Sequence, residues 1–381
     1  MNEYFEGAIR QLQARARHLV SLIPRNLERD VDTLAVRCRD RIDAVIARLE
    51  ILLSSPSMRE PKNQGIRVRR FRRALDELDL LESVAVAALH RWGEADRRMN
   101  RLTHHIAREI RYPLITPVVV CLSPWRHYYL TYPHLNLLCV PLAEHQFLLH
   151  LPDLYHELGH PLLSVSNDPQ VEPFQQAYAE ALNAAHAYLA AEMQHERRNT
   201  RGPQAYRQYL ATWLDCWEDW LIEFFCDLFA AFTVGSAFGW GHFHLHIGRG
   251  GDPFPVPKRS PTEHPPDAAR MDVILRALRR LNFSQDATAI EGRWRQLLST
   301  IRAGETAEYR RCFPETLLET IVDKAHQGIQ ALGCQLAQSG MQEPIRKLLN
   351  DAWAEFWQAP SGYVTWEKRE ADKLGKLLEG N

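Results

Sequence analysis

The most apolar stretch of this chain runs from Trp220 to Trp240, WLIEFFCDLFAAFTVGSAFGW, and its only charged side chains are Glu223 and Asp227. A segment of this length and hydropathy suits either a membrane span or a helix through the middle of a folded core. The two carboxylates decide between them. Four residues apart, they share one face of a helix. In hydrocarbon both would be costly, whereas a protein core can supply a cation or basic partners. The stretch therefore reads as a buried core helix with one functional face, and no membrane span is expected.

The remaining bulk properties fit that reading. A chain of 381 residues with 45% apolar side chains predicts two or three compact units around real cores. The formal net charge of −1 gives no general attraction to nucleic acid or an acidic membrane. Seven cysteines, an odd number with no CxxC pair, read as free thiols of a reducing compartment. The N-terminal segment MNEYFEGAIRQLQARARHLV has no apolar run after its charges, so no signal peptide is expected. Together these point to a cytoplasmic protein.

Periodicity divides the chain into three regions. Residues 1–110 read as a helical hairpin. Leu34, Cys38, Ile42, Val45, Leu49 and Leu52 form one apolar stripe, and Phe71, Leu75, Leu78, Leu81, Leu89 and Trp92 form another beyond the turn-rich SSPSMREPKNQG. Residues 111–270 begin with three candidate strands, Ile115–Leu122, Tyr128–Tyr132 and Leu137–Val140, and continue into helices at 171–193 and 204–234. The glycine- and proline-rich 248–266 is a loop. Residues 271–381 are helical again, with breaks near Pro314, Gly340 and Pro360. The expected fold class is α+β, mainly α-helical, with a small sheet behind a central motif.

That motif is His156-Glu157-Leu158-Gly159-His160. On a helix, positions i and i+4 lie one turn apart on the same face, so both imidazoles can reach one tetrahedral zinc ion. Glu157 can then point at the open coordination position and take a proton from the water held there. Leu151, Leu154, Tyr155, Leu158, Leu162 and Leu163 surround the motif and predict burial. A catalytic zinc needs a third protein ligand. Glu223 is the candidate, and Asp227 can hold the other ring nitrogen of a ligating histidine. Both carboxylates can equally pair with arginines at a helix contact.

HELGH followed by ExxxD resembles the gluzincin zinc metallopeptidases. Sixty-two residues lie between His160 and Glu223, which is similar to the CaaX-prenyl-protease and HtpX-like branch. Thr262-Glu263-His264-Pro265-Pro266-Asp267-Ala268-Ala269-Arg270 resembles that branch's HPP…R element. The resemblance covers roughly residues 115–275. It implies a zincin-like core, zinc on His156, His160 and Glu223, Glu157 as general base, His264 beside the scissile carbonyl and Arg270 as the anchor of its loop. The chain departs from the family at Pro161, which should bend or end the motif helix. It also lacks a clear Asn-Ala strand element before the motif and the family's membrane-spanning helices.

Three further patterns have simpler readings. His242, His244 and His246 alternate in GHFHLHIG; as a strand they would share a face, more readily an active-site wall than a second metal site. The run RVRRFRR, Arg67 to Arg73, reads as a solvated helix start, since Asp76, Glu77 and Asp79 follow. Trp213, Trp217 and Trp220 stand at helical spacing and read as core.

The expected function is zinc-dependent hydrolysis of peptide bonds in a protein or peptide substrate, seated as an added strand along Leu137–Val140. The alternative is a non-catalytic, partner-binding helical protein with a structural or vestigial zinc site. In either case the N-terminal helices can carry a protein partner, and no nucleic-acid partner is expected.

Overall fold

The computed structural model describes residues 2–24, 27–123, 128–198 and 204–379. These are mainly helical, with one three-stranded sheet. No helix among them is long and apolar enough to cross a membrane. The chain forms two compact units, residues 1–100 with 117–145 and residues 101–116 with 146–381. The region 271–381 lies wholly within the second.

The first unit contains helices α1 (Asn2–Leu22), α2 (Arg29–Ser54) and α3 (Gln64–Leu80) and strands β1 (Val118–Ser123), β2 (Leu130–Tyr132) and β3 (Leu137–Pro141). The stripe of α2 is buried as its spacing predicts, from Leu34 through Cys38, Ile42, Val45 and Leu49 to Leu52. Ile9, Leu12, Ala16 and Leu19 of α1 and Ala74 and Leu78 of α3 join it in one core. Val118 and Val120 of β1 and Leu137 and Cys139 of β3 belong to the same core, so one face of the sheet, every second residue, packs on the helices. Leu75 of the second stripe is exposed instead: α3 turns Arg67, Ala74 and Leu78 inward.

The strand order is β1-β3-β2, with β3 parallel to β1 and antiparallel to β2. This overturns the expectation that a peptide adds along Leu137–Val140: β3 is the central strand and both its edges are paired. The outer edge of β1 is also occupied. The Asn100 side chain accepts from Val119 N and donates to Val119 O, and Asp96 accepts from Cys121 N. Such side-chain capping removes a free edge that would otherwise invite strand pairing.

The second unit is built on helices α4 (Asp153–Glu157), α5 (Gly159–Ser164), α6 (Glu172–Arg198), α7 (Gln204–Val234), α8 (Ser236–Arg249), α9 (Asp267–Arg280), α10 (Glu315–Ala331) and α11 (Pro344–Gln358). Helix α7 is the long central element, packed against α4, α5, α6, α9 and α10. The apolar run Trp220–Trp240 lies buried in α7 and continues into α8. Trp213, Trp217 and Trp220 are buried in its core. Helix α8 corrects the strand reading of GHFHLHIG: these residues are helical, so His242 and His246, four apart, share a face while His244 points elsewhere.

Candidate metal centre

HELGH occupies two short helices rather than one. A continuous helix would pair the carbonyl of Glu157 with the backbone nitrogen of residue 161. That residue is proline, which has no N–H and whose ring crowds the same carbonyl. The helix interrupts at Leu158 and resumes at Gly159. Tyr112 donates its hydroxyl to the Leu158 carbonyl at 2.9 Å, supplying a bond at the break. The bend expected from Pro161 is thus present, and both histidines remain on one side of it.

The motif sits hard against α7. A Cβ built on Gly159 would lie 2.9 Å from both Cα and Sγ of Cys226. Only glycine allows this approach, and the approach brings Glu223 and Asp227 to the histidines. The rings of His156 and His160 are 5.1 Å apart between centroids and nearly perpendicular, at 78°. One oxygen of Glu223 lies 3.5 Å from Nε2 of His156, and the other lies 3.9 Å from Nε2 of His160. A single buried carboxylate therefore spans the same nitrogen of both imidazoles. Phe238 of α8 lies parallel to the His156 ring.

Behind His156 stands Asp227. Its Oδ1 is 2.9 Å from Nδ1 of His156, and Arg270 of α9 binds the same carboxylate through Nε at 2.7 Å and Nη2 at 2.6 Å. Both readings of Asp227 thus hold together: it orients a histidine and it pairs with an arginine. An ionised carboxylate only accepts, so Nδ1 of His156 carries the proton and Nε2 faces Glu223. Arg270, which the resemblance gives as the anchor of the His264 loop, places its guanidinium on Asp227 and lies 3.8 Å from Glu223 Oε2, the oxygen that His264 meets. That loop is held by Thr262, whose backbone N–H points at Cys216 Sγ at 3.4 Å and whose hydroxyl accepts from Trp220 Nε1 at 3.2 Å.

The electrostatics are set by burial against charge. Burial alone would lower the pKa of His156, but Asp227 and Glu223 outweigh it and raise the imidazole to about 10. Burial would raise Asp227, yet Arg270 and His156 bring it down to about 2. Burial likewise opposes ionisation of Glu223, and its contacts with His156, His264 and Arg270 hold it well below the usual carboxylate range. Burial lowers His160, which favours the neutral imidazole a metal requires. Since Arg270 neutralises Asp227, Glu223 is left asking for positive charge between the two imidazoles. A proton on His156 or a metal ion at the two Nε2 atoms each supplies it. Two imidazoles, one of them backed by Asp227, and one carboxylate make a donor set that could hold a metal ion.

The other residues singled out from the sequence lie as follows. Glu157 is buried next to His156. His264 is largely exposed, with Nδ1 3.2 Å from Glu223 Oε2. Cys226 has no role in the sequence-based expectation, yet donor atoms of His156, His160 and Cys226 lie within 4.8 Å of one another, close enough to hold a metal ion. Burial and the surrounding carboxylates push that thiol well above its ordinary pKa, and its Sγ fills the contact with Gly159. It is the poorer donor. The alternating histidines do not face the centre as a row. His242 Nε2 meets the Asp267 carbonyl at 3.0 Å, His246 Nδ1 meets the Asp267 carboxylate at 2.7 Å, and His244 packs on Trp353 and His150. The i, i+4 spacing of His242 and His246 was the signal for this, had the segment been read as helix.

No family model, curated protein or solved structure matches this chain.

Proposed function

We propose that the chain is a zinc-dependent endopeptidase with a zincin-like core, acting on a protein or peptide substrate. The observation that carries this reading is the Glu223 carboxylate spanning Nε2 of His156 and His160 at 3.5 and 3.9 Å, with Asp227 behind His156. His156, His160 and Glu223 would hold the ion. Zinc in such a set supplies Lewis acidity toward water and a peptide carbonyl.

The chain's own groups carry the proton chemistry. Glu157 adjoins the first imidazole and is the carboxylate available to accept a proton from the attacking water. The same carboxyl group returns it to the departing amine. Asp227 fixes His156 in one tautomer and one orientation, and Arg270 keeps Asp227 ionised. His264 stands at the solvent side of Glu223, where a hydrogen-bond donor can meet the developing oxyanion. Seven buried cysteines with no disulfide among them fit a reducing, cytoplasmic setting.

The test is metal content together with cleavage mapping. Purified protein should carry one zinc per chain and cut a proteome-derived peptide library, and Glu157→Gln should keep the zinc and lose the cleavage. One observation favours a second reading, a structural or vestigial site in a partner-binding protein: Cys226 lies within donor range of both histidines. Under that reading Cys226→Ser releases the metal and Glu223→Gln does not; the peptidase reading expects the reverse.

A further inference from the structure

Helices α2 and α3 of the first unit enclose a pocket of about 260 Å³ lined by Arg48, Ile51, Leu52, Arg70, Arg73 and Ala74. The lining follows from helix geometry. Arg48, Ile51 and Leu52 are spaced i, i+3, i+4 along α2, and Arg70, Arg73 and Ala74 repeat the spacing along α3, so each triad presents one face. Leu52 and Ala74 are buried and form the floor, while Ile51 is exposed at the rim.

The charge around this floor is one-sided. Glu77 is shared between Arg41 and Arg48, so this trio keeps a net positive charge. Arg70 and Arg73 are exposed and, among the described residues, pair with no carboxylate. The sequence reading took the whole run from Arg67 to Arg73 as solvated. Arg67 instead is buried, with its guanidinium over the Phe5 ring at 5.5 Å. That inward turn of Arg67 fixes the helix so that Arg70 and Arg73 flank the pocket.

We propose that this pocket docks an acidic segment of a partner protein. One apolar side chain of the segment enters the cavity, and carboxylates on either side of it pair with Arg70 and Arg73. Charge complementarity selects the acid, and bidentate guanidinium–carboxylate geometry suits arginine better than lysine. At about 260 Å³ the cavity lies at the small end of binding sites, and its apolar floor suits a single side chain. Phosphate recognition would leave the apolar floor unused. The inference is independent of the peptidase reading.

The experiment pans a random peptide phage library on the full-length protein, with counter-selection on the Arg70→Glu/Arg73→Glu double variant. Enrichment of sequences with one leucine, isoleucine or phenylalanine between aspartates and glutamates is expected. A synthetic peptide of the enriched sequence should lose at least tenfold in affinity for the double variant and for Ile51→Asp. It should bind Arg69→Glu/Arg72→Glu as well as wild type, because those arginines lie outside the lining. Circular dichroism checks that each variant is folded. Three results would overturn the proposal: no sequence depending on Arg70 and Arg73, equal loss in the Arg69/Arg72 variant, or binding of single-stranded DNA or anionic vesicles through Arg70 and Arg73 without any peptide.

Discussion

Arg270 closes on the carboxylate of Asp227 with two N–H bonds while that carboxylate holds Nδ1 of His156 at 2.9 Å. A fully buried chain of guanidinium, carboxylate and imidazole thus links α9 to the HELGH segment through α7. Replacing the carboxylate and replacing the guanidinium have distinct consequences.

Asp227→Asn keeps the shape but removes the charge that raises His156. Zinc affinity, measured by competition with a chromophoric chelator, should fall by about 10- to 100-fold, the usual effect of losing a histidine's supporting carboxylate. An unchanged affinity would assign Asp227 a purely structural role.

Arg270→Leu leaves Asp227, which has no solvent exposure, without its neutralising partner. Breaking a buried pair on one side costs about 3–5 kcal/mol. Urea unfolding should report a loss of this order for Arg270→Leu. The double variant Arg270→Leu/Asp227→Asn should recover part of it, since no uncompensated charge remains.

His150 contributes one part of the pH dependence of stability. Burial, with His244 beside it, lowers its pKa to about 4, whereas an unfolded histidine titrates near 6.5. Between those values the unfolded chain holds more protons, so stability falls as pH falls through the window. This residue's share reaches roughly 3 kcal/mol once pH drops below both values. His150→Asn should flatten the slope of unfolding free energy between about pH 6.5 and pH 4, as read by denaturant melts. An unchanged slope would place the acid sensitivity elsewhere.

His264, largely exposed, lies 3.2 Å from Glu223, a ligand of the proposed centre. His264→Ala should lower turnover about a hundredfold, the range for losing one oxyanion donor, with zinc content unchanged. A variant that loses zinc instead would make His264 part of the metal-holding set.

Much of this was legible in the sequence, and what was hidden shares a physical cause. The stripe Leu34 to Leu52 and the tryptophans Trp213, Trp217 and Trp220 are buried because local periodicity fixes which face of a helix is apolar. The ExxxD spacing likewise places Glu223 and Asp227 on one face of α7, and the two histidines of HELGH stay on one side despite the break at Leu158. Strand order is different. Leu137 to Pro141 is buried along its whole length, so it shows no alternation that distinguishes an edge from a centre. The histidines of GHFHLHIG satisfy a period of two by alternation and a helical period through His242 and His246; the packing of α8 decides, and no short window contains it. The partnership of Arg270 with Asp227 joins residues 43 apart, which spacing alone could not distinguish from an anchor of the nearer His264 loop.

The most direct measurement is elemental analysis of the purified protein alongside its Glu223→Gln and Glu157→Gln variants, each assayed on a peptide library read by mass spectrometry. The peptidase account predicts one zinc per wild-type chain with cleavage, zinc without cleavage in Glu157→Gln, and neither in Glu223→Gln. A wild-type chain that binds no zinc, or a Glu157→Gln variant that still cuts, would contradict it.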